Sequence, residues 1–242
     1  MNAQIHQVVQ NVQRGIANPL FSKYGHGTIA CLAYFLGLVG GGGLLLALYS
    51  DSLWNLGLYL VFLSVFHFTE YLSVTMFNPQ VASAESFLLN HSVQYTTAIV
   101  ASLVEHLIEW YLFPEGLKTF WPVVYVGVLV ALFGQAIRLL ALITAAHNFT
   151  HEIAEEKKKE HVLVTTGIYG VVRHPGYFGW FWWSVATQVV LFNPICIAGF
   201  AYASWKFFED RIKYEEEVLI EFFGNDYKEY RSKVPTYIPL IP

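Results

Sequence analysis

The residues best suited to chemistry in this 242-residue chain lie in RHPGYFGWFWW, residues 173–183, where Arg173 and His174 stand directly before a strongly apolar stretch. In a soluble protein such a junction is an odd surface loop; in a bilayer protein it lies where aqueous chemistry meets lipid. Pro175 in a first helical turn costs no hydrogen bond and leaves the amides of Gly176 and Tyr177 pointing outward. Such a helix end attracts an anion. With Arg173 and His174 beside it, the site suits a carboxylate or a phosphate, and Tyr177 and Gly179 let a ligand lie close against the helix. Taken alone, the same residues equally describe side chains that snorkel at a membrane interface.

Two further stretches carry candidates. HVLVTTGIY, residues 161–169, is a short extended segment ending in a glycine turn, placed to form one wall of a pocket that the helix end closes. FFEDRIKYEEEVL, residues 207–219, has helical periodicity, with Arg211 and Glu215 four apart on one face. A solvated charged face would look the same, but these charges emerge beside a second charged segment. Glu70, Glu105, Glu109, Gln135 and Arg138 fall inside apolar runs, where ionisable groups are expensive and must face a protein interior, with a glutamate expected opposite Arg138. His67, near Glu70, reads as a satisfied interior histidine, and no His, Asp or Glu spacing resembles a metal site.

The elements that must position these residues are legible in composition. The chain is 55% hydrophobic and 13% charged, against about 25% charged in soluble domains, which indicates an integral membrane protein. Four apolar stretches, 28–49, 53–74, 92–113 and 121–144, are each long enough to span a hydrocarbon core as a helix. A fifth, 178–208, is interrupted by Asn193-Pro194, which predicts two short helices with a turn between them. The expected fold is all-α, with four full transmembrane helices plus this broken hairpin, about six helices in all. Residues 40–43, GGGG, lie mid-helix and imply close helix packing. No strand–glycine–helix signal for a Rossmann domain exists.

Ten of the fourteen Lys and Arg residues follow position 145. Under the positive-inside rule the Lys157, Lys158, Lys159 segment and the tail after Lys206 are cytosolic, the loops near 50–52, 76–91 and 114–120 (with Lys118 alone) being poor in base. Four crossings then put the N-terminus, with Arg14 and Lys23, on the same side. No signal peptide is read at the start. Cys31 and Cys196 sit in apolar runs and suggest neither a disulfide framework nor a thiolate site.

Taken in order, NFTH (148–151), HVLVTTGIY (161–169), RHPGYFGW (173–180), Asn193-Pro194, FFEDRIKYEEEVL (207–219) and FFGNDYKEYRSKVPTYIP (222–239) resemble the isoprenylcysteine carboxyl methyltransferase family, and FHFTEYL (66–72) and FLLNHSVQYT (87–96) extend the likeness forward. The resemblance implies methyl transfer from S-adenosylmethionine to the C-terminal prenylcysteine carboxylate of a processed CaaX protein, farnesylated or geranylgeranylated, at the endoplasmic reticulum membrane. It places cofactor contacts on His161, Val162, Leu163, Val164, Tyr169, His174, Pro175, Gly176, Tyr177 and Glu215, and the substrate-carboxylate arginine on Arg211. Ala154 stands where some relatives have a cofactor-contacting glutamine, and some relatives carry two more membrane helices ahead of the matched region. The organisation expected is a cytosolic segment 1–27, membrane helices over 28–144 and a catalytic region 145–242. That region comprises a cofactor loop 147–177, the hairpin 178–208 and a cytosolic helix and tail 209–242, together making a cytosol-facing cofactor pocket without a metal.

The residues fit this chemistry on physical grounds. A substrate whose lipid lies in the bilayer and a cofactor arriving from water must meet at the boundary, where Arg173 and Arg211 sit. A C-terminal carboxylate, with a pKa near 3.5, is already the nucleophile at neutral pH and needs no general base. Catalysis reduces to positioning and electrostatics, with Arg173 and Arg211 as cationic candidates and Glu216 as an orienting partner for Arg211. The prenyl chain is expected to enter sideways from lipid along the aromatic hairpin. RHPGY-like segments also occur in phospholipid methyltransferases and some sterol reductases, so an amine acceptor or sterol reduction is an alternative. A transporter would need matching interrupted helices, which the sequence does not show.

Overall fold

The structure, a computed structural model, describes residues 22–90, 92–113, 120–154, 156–157 and 161–242, together with positions 6, 9, 10, 12, 13 and 20. The expectations for Arg14, Lys118, Lys158 and Lys159 fall outside these residues. Every regular element among the described residues is helical. The chain divides into two units, Met1–Ile99 and Val100–Pro242.

In the first unit, α1 (His26–Tyr49) packs along α2 (Trp54–Phe77). The approach is close because both partners lack side chains where they cross: a Cβ on Gly43 would stand 2.8 Å from the Gly57 carbonyl oxygen. The glycine run thus packs a helix as expected, through Gly43 and, against Ser64, Gly40; Gly41 and Gly42 face open space. A 3₁₀ turn, Ala84–Phe87, is capped by Ser83 and tied back by the Lys23–Glu85 ion pair at 2.8 Å. His67 is fully buried, with Nδ1 2.7 Å from the Phe87 carbonyl oxygen and Nε2 3.0 Å from the Tyr95 hydroxyl. A nitrogen facing a carbonyl must carry the proton, so Nε2 accepts from Tyr95. His67 is a satisfied interior histidine, as expected.

α3 (Val93–Leu112) begins in the first unit and ends in the second. The second unit then continues through α4 (Trp121–Ala145), 3₁₀ turns at Ala146–Asn148 and Gly167–Gly170, α5 (Pro175–Leu191), α6 (Pro194–Phe223) and α7 (Asn225–Lys233). Segment 161–165 has no regular structure and feeds the glycine turn, where Gly167 adopts φ +59°. α4 and α5 meet through Gly134 and Gly179, where an added Cβ would come within 2.7 Å and 2.6 Å of backbone on the facing helix. That contact fixes the N-terminal end of α5, and with it His174 to Tyr177, against Arg138.

Among the described residues, three helices are long and apolar enough to cross a membrane: His26–Tyr49, Trp54–Phe77 and Trp121–Asn148. The fourth expected span, α3, falls short by that measure; it carries Glu105, His106 and Glu109. The hairpin also departs from expectation. Its break is where the sequence puts it, but the first helix starts at Pro175, and the second is a single helix of 30 residues. No proline follows Pro194 before Gly224, and the single glycine between them, Gly199, does not break the helix, so α6 runs from the apolar turn straight into the charged stretch and ends at Gly224, φ +58°.

α5, with 17 residues, is about 25 Å long, less than the roughly 30 Å hydrocarbon core. The turn after it is buried at Asn193, so its polar groups need partners within the protein. Asn193, with no exposed surface, donates through Nδ2 to the Ser102 carbonyl at 2.8 Å. Both oxygens of Glu105 accept amides of the first turn of α6, Ile195 and Cys196, each at 2.7 Å. An acidic side chain at a helix N-terminus also complements the helix dipole, so Glu105 serves as a cap. Glu105→Ala should lower the unfolding free energy in detergent micelles by about 3 kcal/mol, the scale of losing charge-assisted hydrogen bonds. Glu105→Gln should fall in between, since its amide nitrogen opposes one of the donors. An alanine variant as stable as the parent would show that the cap contributes nothing.

Candidate active site

α5 begins at Pro175, and the turn before it is set by two hydrogen bonds onto the His174 carbonyl, from the amides of Tyr177 (3.1 Å) and Phe178 (3.0 Å). The Tyr177 amide is therefore engaged, contrary to the expectation that both it and the Gly176 amide point outward. Arg138 donates from Nη1 to the Gly176 carbonyl at 2.9 Å and lies over Trp180 and Phe149, its guanidinium carbon 5.1 Å and 5.6 Å from the ring centroids. The buried arginine of α4 thus fastens the first turn of α5. One of its hydrogen bonds runs to a backbone carbonyl.

Arg173 differs from its expected role. Its side chain is 3% exposed, and every nitrogen of its guanidinium is engaged: Nε donates to Glu216 Oε1 at 2.6 Å, Nη1 to the carbonyls of Val234 (2.5 Å) and Arg231 (3.2 Å), and Nη2 to the Pro242 carbonyl at 2.6 Å. Its amide donates to the Pro235 carbonyl at 2.9 Å. With its guanidinium spent on the C-terminal segment, Arg173 holds that segment in place and presents no fork to a substrate. The segment also packs Ile238 and Ile241 against Phe181, Phe208 and Ile212, and Pro239 accepts from the Trp205 indole at 2.8 Å.

Glu216 gathers the nitrogen groups of this region: Arg173 Nε, His174 Nε2 at 3.2 Å and Arg231 Nε at 3.1 Å. Burial works against its ionised form, but the hydrogen bond and charge of His174, with those of Arg173, outweigh it and hold the carboxyl down to about 2. It does not contact Arg211, so the expected orienting pair is not formed. Arg211 instead donates from Nε to the Tyr177 hydroxyl at 2.8 Å and from Nη2 to the His151 carbonyl. It makes no ion pair with Glu215 either, although the two share a helix face.

A cavity of about 1000 Å³, mouth included, opens beside the start of α5. All ten positions to which the resemblance assigned cofactor contacts line it: His161, Val162, Leu163, Val164, Tyr169, His174, Pro175, Gly176, Tyr177 and Glu215. Asn148 pins the 161–164 wall by accepting the Val162 amide at 3.0 Å through Oδ1. Glu215 is the acidic group of the interior, and its Oε2 is buried without a hydrogen-bond partner, 3.7 Å from His174 Nδ1. Ala154 also lines the cavity. Sequence reasoning missed Val218, Leu219 and Phe222 on α6, which continue the face of Glu215 at helical spacing, a signal that was available. It also missed Phe149, Tyr227 and Tyr230, which reach the wall through tertiary packing; Tyr230 is fixed by donating its hydroxyl to the Tyr169 carbonyl at 2.7 Å, and burial pushes its phenol up to about 12. Arg211 faces an adjoining cleft with Phe207, Asp210 and Tyr214.

The model of the isoprenylcysteine carboxyl methyltransferase (ICMT) family matches residues 126–221. A protein-S-isoprenylcysteine O-methyltransferase of Dictyostelium discoideum is 53% identical over 196 residues, 80% of this chain and 81% of the relative. A protein of the same name from Homo sapiens is 47% identical over 214 residues, 88% of this chain and 75% of the relative. Among solved structures, that of a eukaryotic intramembrane Ras methyltransferase, ICMT, superposes with a TM-score of 0.88 at 41% identity, covering 96% of this chain and 84% of that one.

The Glu216 cluster makes stability depend on pH. Its folded carboxyl titrates at about 2 against 4.5 for the free group. The cluster therefore contributes fully above about pH 4.5, and its contribution is lost as pH falls through about 2. Glu216→Gln should lower the unfolding free energy at pH 7 by about 3 kcal/mol, as breaking a buried pair does. The gap to the parent protein should close as pH is lowered across that window, followed by unfolding in detergent. A gap that stayed constant with pH would show that the carboxylate charge is not what holds the cluster.

Proposed function

The chain belongs to the isoprenylcysteine carboxyl methyltransferase family, and on that premise we propose that it converts the C-terminal carboxylate of a prenylated protein's cysteine to a methyl ester, with S-adenosylmethionine as methyl donor in the cavity beside α5. One observation carries the reading. Arg211 and Glu215 stand one turn apart on α6, yet they line different spaces: Glu215 lines the cavity, its Oε2 3.7 Å from His174 Nδ1, while Arg211 lines the adjoining cleft. Glu215 offers a cationic ligand an acid in the cavity, and Arg211, beside Glu152, Glu156 and Asp210, is the basic side chain that the lining of the cleft offers an anionic one.

The residues fit the donor. The buried Glu215 Oε2 suits an ammonium group, and the aromatic walls of Phe149, Phe222 and Tyr227 suit a planar base. When bound, S-adenosylmethionine supplies an electrophilic methyl group on a sulfonium. Everything else is done by the chain. Arg211 fixes the acceptor carboxylate without any risk of giving up a proton, because guanidinium stays charged. The acceptor is ionised at neutral pH, so no side chain has to act as base. Positioning two reactants in this way is itself a large catalytic effect. Farnesylated or geranylgeranylated CaaX proteins are the acceptors on this reading, their lipid entering from the bilayer along the aromatic side of the hairpin. The catalytic region faces the cytosol at the endoplasmic reticulum membrane, with both termini on that side and about six membrane-inserted helices. The basic residues Lys157, Lys206, Arg211 and Lys213 support the orientation.

Two outcomes test the proposal. Purified protein given labelled S-adenosylmethionine and a farnesylcysteine analogue should form a base-labile methyl ester; base-stable label on a phospholipid amine would establish the amine-methylating alternative instead. Glu215→Gln should weaken S-adenosylhomocysteine about 10- to 100-fold, the scale of one charge-assisted bond, while Arg211→Lys should leave that affinity alone and lower kcat/KM for the acceptor about a hundredfold. Calorimetry and initial rates separate the two effects, and a lysine variant with near-normal turnover would remove Arg211 from the acceptor site.

A further inference from the structure

Arg211 is held unusually well for a residue that faces a cleft. Nε donates to the Tyr177 hydroxyl at 2.8 Å, and Nη2 donates to the His151 carbonyl. The Tyr177 ring is itself fixed, stacked against His174 (centroids 5.6 Å apart, planes at 13°) and against Phe208 (5.2 Å, 28°). The Glu215 carboxylate lies near the same hydroxyl. Tyr177 therefore reaches from the cavity wall to the arginine of the adjoining cleft.

A guanidinium has five N–H donors and two edges that can grip a carboxylate with a pair of parallel bonds. The side edge uses Nε with Nη2; the end edge uses Nη1 with Nη2. Here Tyr177 occupies Nε, which closes the side edge to a paired grip, and His151 takes one proton of Nη2, whereas Nη1 has no protein partner among the described residues. Resting on the acceptor role of Arg211, we propose that the Tyr177 hydroxyl is a positioning residue for esterification: by occupying Nε it leaves only the end edge of Arg211 to the acceptor carboxylate. The carboxylate then has one docking mode. Without the hydroxyl, Nε competes for the same oxygens and the guanidinium can turn about its stem, so productive and unproductive poses share the site.

The test is Tyr177→Phe, which removes one oxygen and keeps the ring between His174 and Phe208. S-adenosylhomocysteine affinity should stay within twofold. The preference of cofactor-free protein for N-acetyl-farnesylcysteine over its carboxamide, read as a ratio of equilibrium dissociation constants, should narrow about tenfold. Acceptor kcat/KM should fall at least tenfold, mostly in kcat, and adding Arg211→Lys to the variant should cost no more than Arg211→Lys alone. An unchanged carboxylate-to-carboxamide ratio, or a loss that simply multiplies with that of Arg211→Lys, overturns the positioning role. So does a tenfold loss of S-adenosylhomocysteine affinity, which would assign the hydroxyl to the cavity alone. If the parent protein forms no methyl ester on farnesylcysteine, the proposed function fails first; if it does and only these signatures are missing, the positioning role alone is rejected.

Discussion

A single buried carboxylate, Glu216, organises the polar half of the second unit. Sunk among Phe208, Ile212 and Tyr227, it would be too costly to ionise without compensation. Arg173, His174 and Arg231 supply it, two of them from adjacent positions before α5 and one from α7. Arg173 in turn uses its remaining donors on carbonyls of the C-terminal segment. One charge thus ties the start of α5, the middle of α6, α7 and the chain's last residues into one arrangement, and the cavity walls are those same elements. Removing Glu216 leaves the buried Arg173 without its carboxylate, and removing Arg173 leaves the carbonyls of Arg231, Val234 and Pro242 without its donors.

The buried turn of the hairpin sets the second constraint. Its polar groups need partners from the protein, and α3 supplies them: the Glu105 side chain caps α6, and the Ser102 carbonyl receives Asn193. Glycine contacts do the rest, bringing α4 against α5 closely enough for Arg138 to reach the Gly176 carbonyl. Glu105, Asn193 and Arg138, polar residues in apolar stretches, therefore serve the architecture.

Adjacent residues on α6 then divide the work. Glu215 and Glu216 point roughly 100° apart, so one lines the cavity while the other is buried in the cluster. Arg211, one turn earlier, faces the neighbouring cleft. A rigid helix is well suited to this, since its rise and rotation fix the distance and angle between the groups, whereas a loop would leave them variable.

Much of this was legible in the sequence, because it depends on local pattern. Long apolar runs specify helices by the cost of exposing backbone to lipid, Asn193-Pro194 specifies the break by removing an amide and fixing φ, and His67 could be read as a satisfied core residue. The ordered motifs pointed to the positions that line the cavity. What the sequence could not assign was pairing. Arg173 and Arg211 are the same residue type in similar charged surroundings, and only the tertiary structure shows that the first is consumed by Glu216 and the C-terminal carbonyls while the second is steadied by Tyr177 and His151. Nor could spacing say which of two neighbouring glutamates would be neutralised, or that Glu105 would cap a helix some ninety residues later. Periodicity fixes which face a side chain occupies, but a partner across the fold is decided by how helices cross, and at Gly134 and Gly179 that crossing is set by backbone-to-backbone contact that no local pattern encodes.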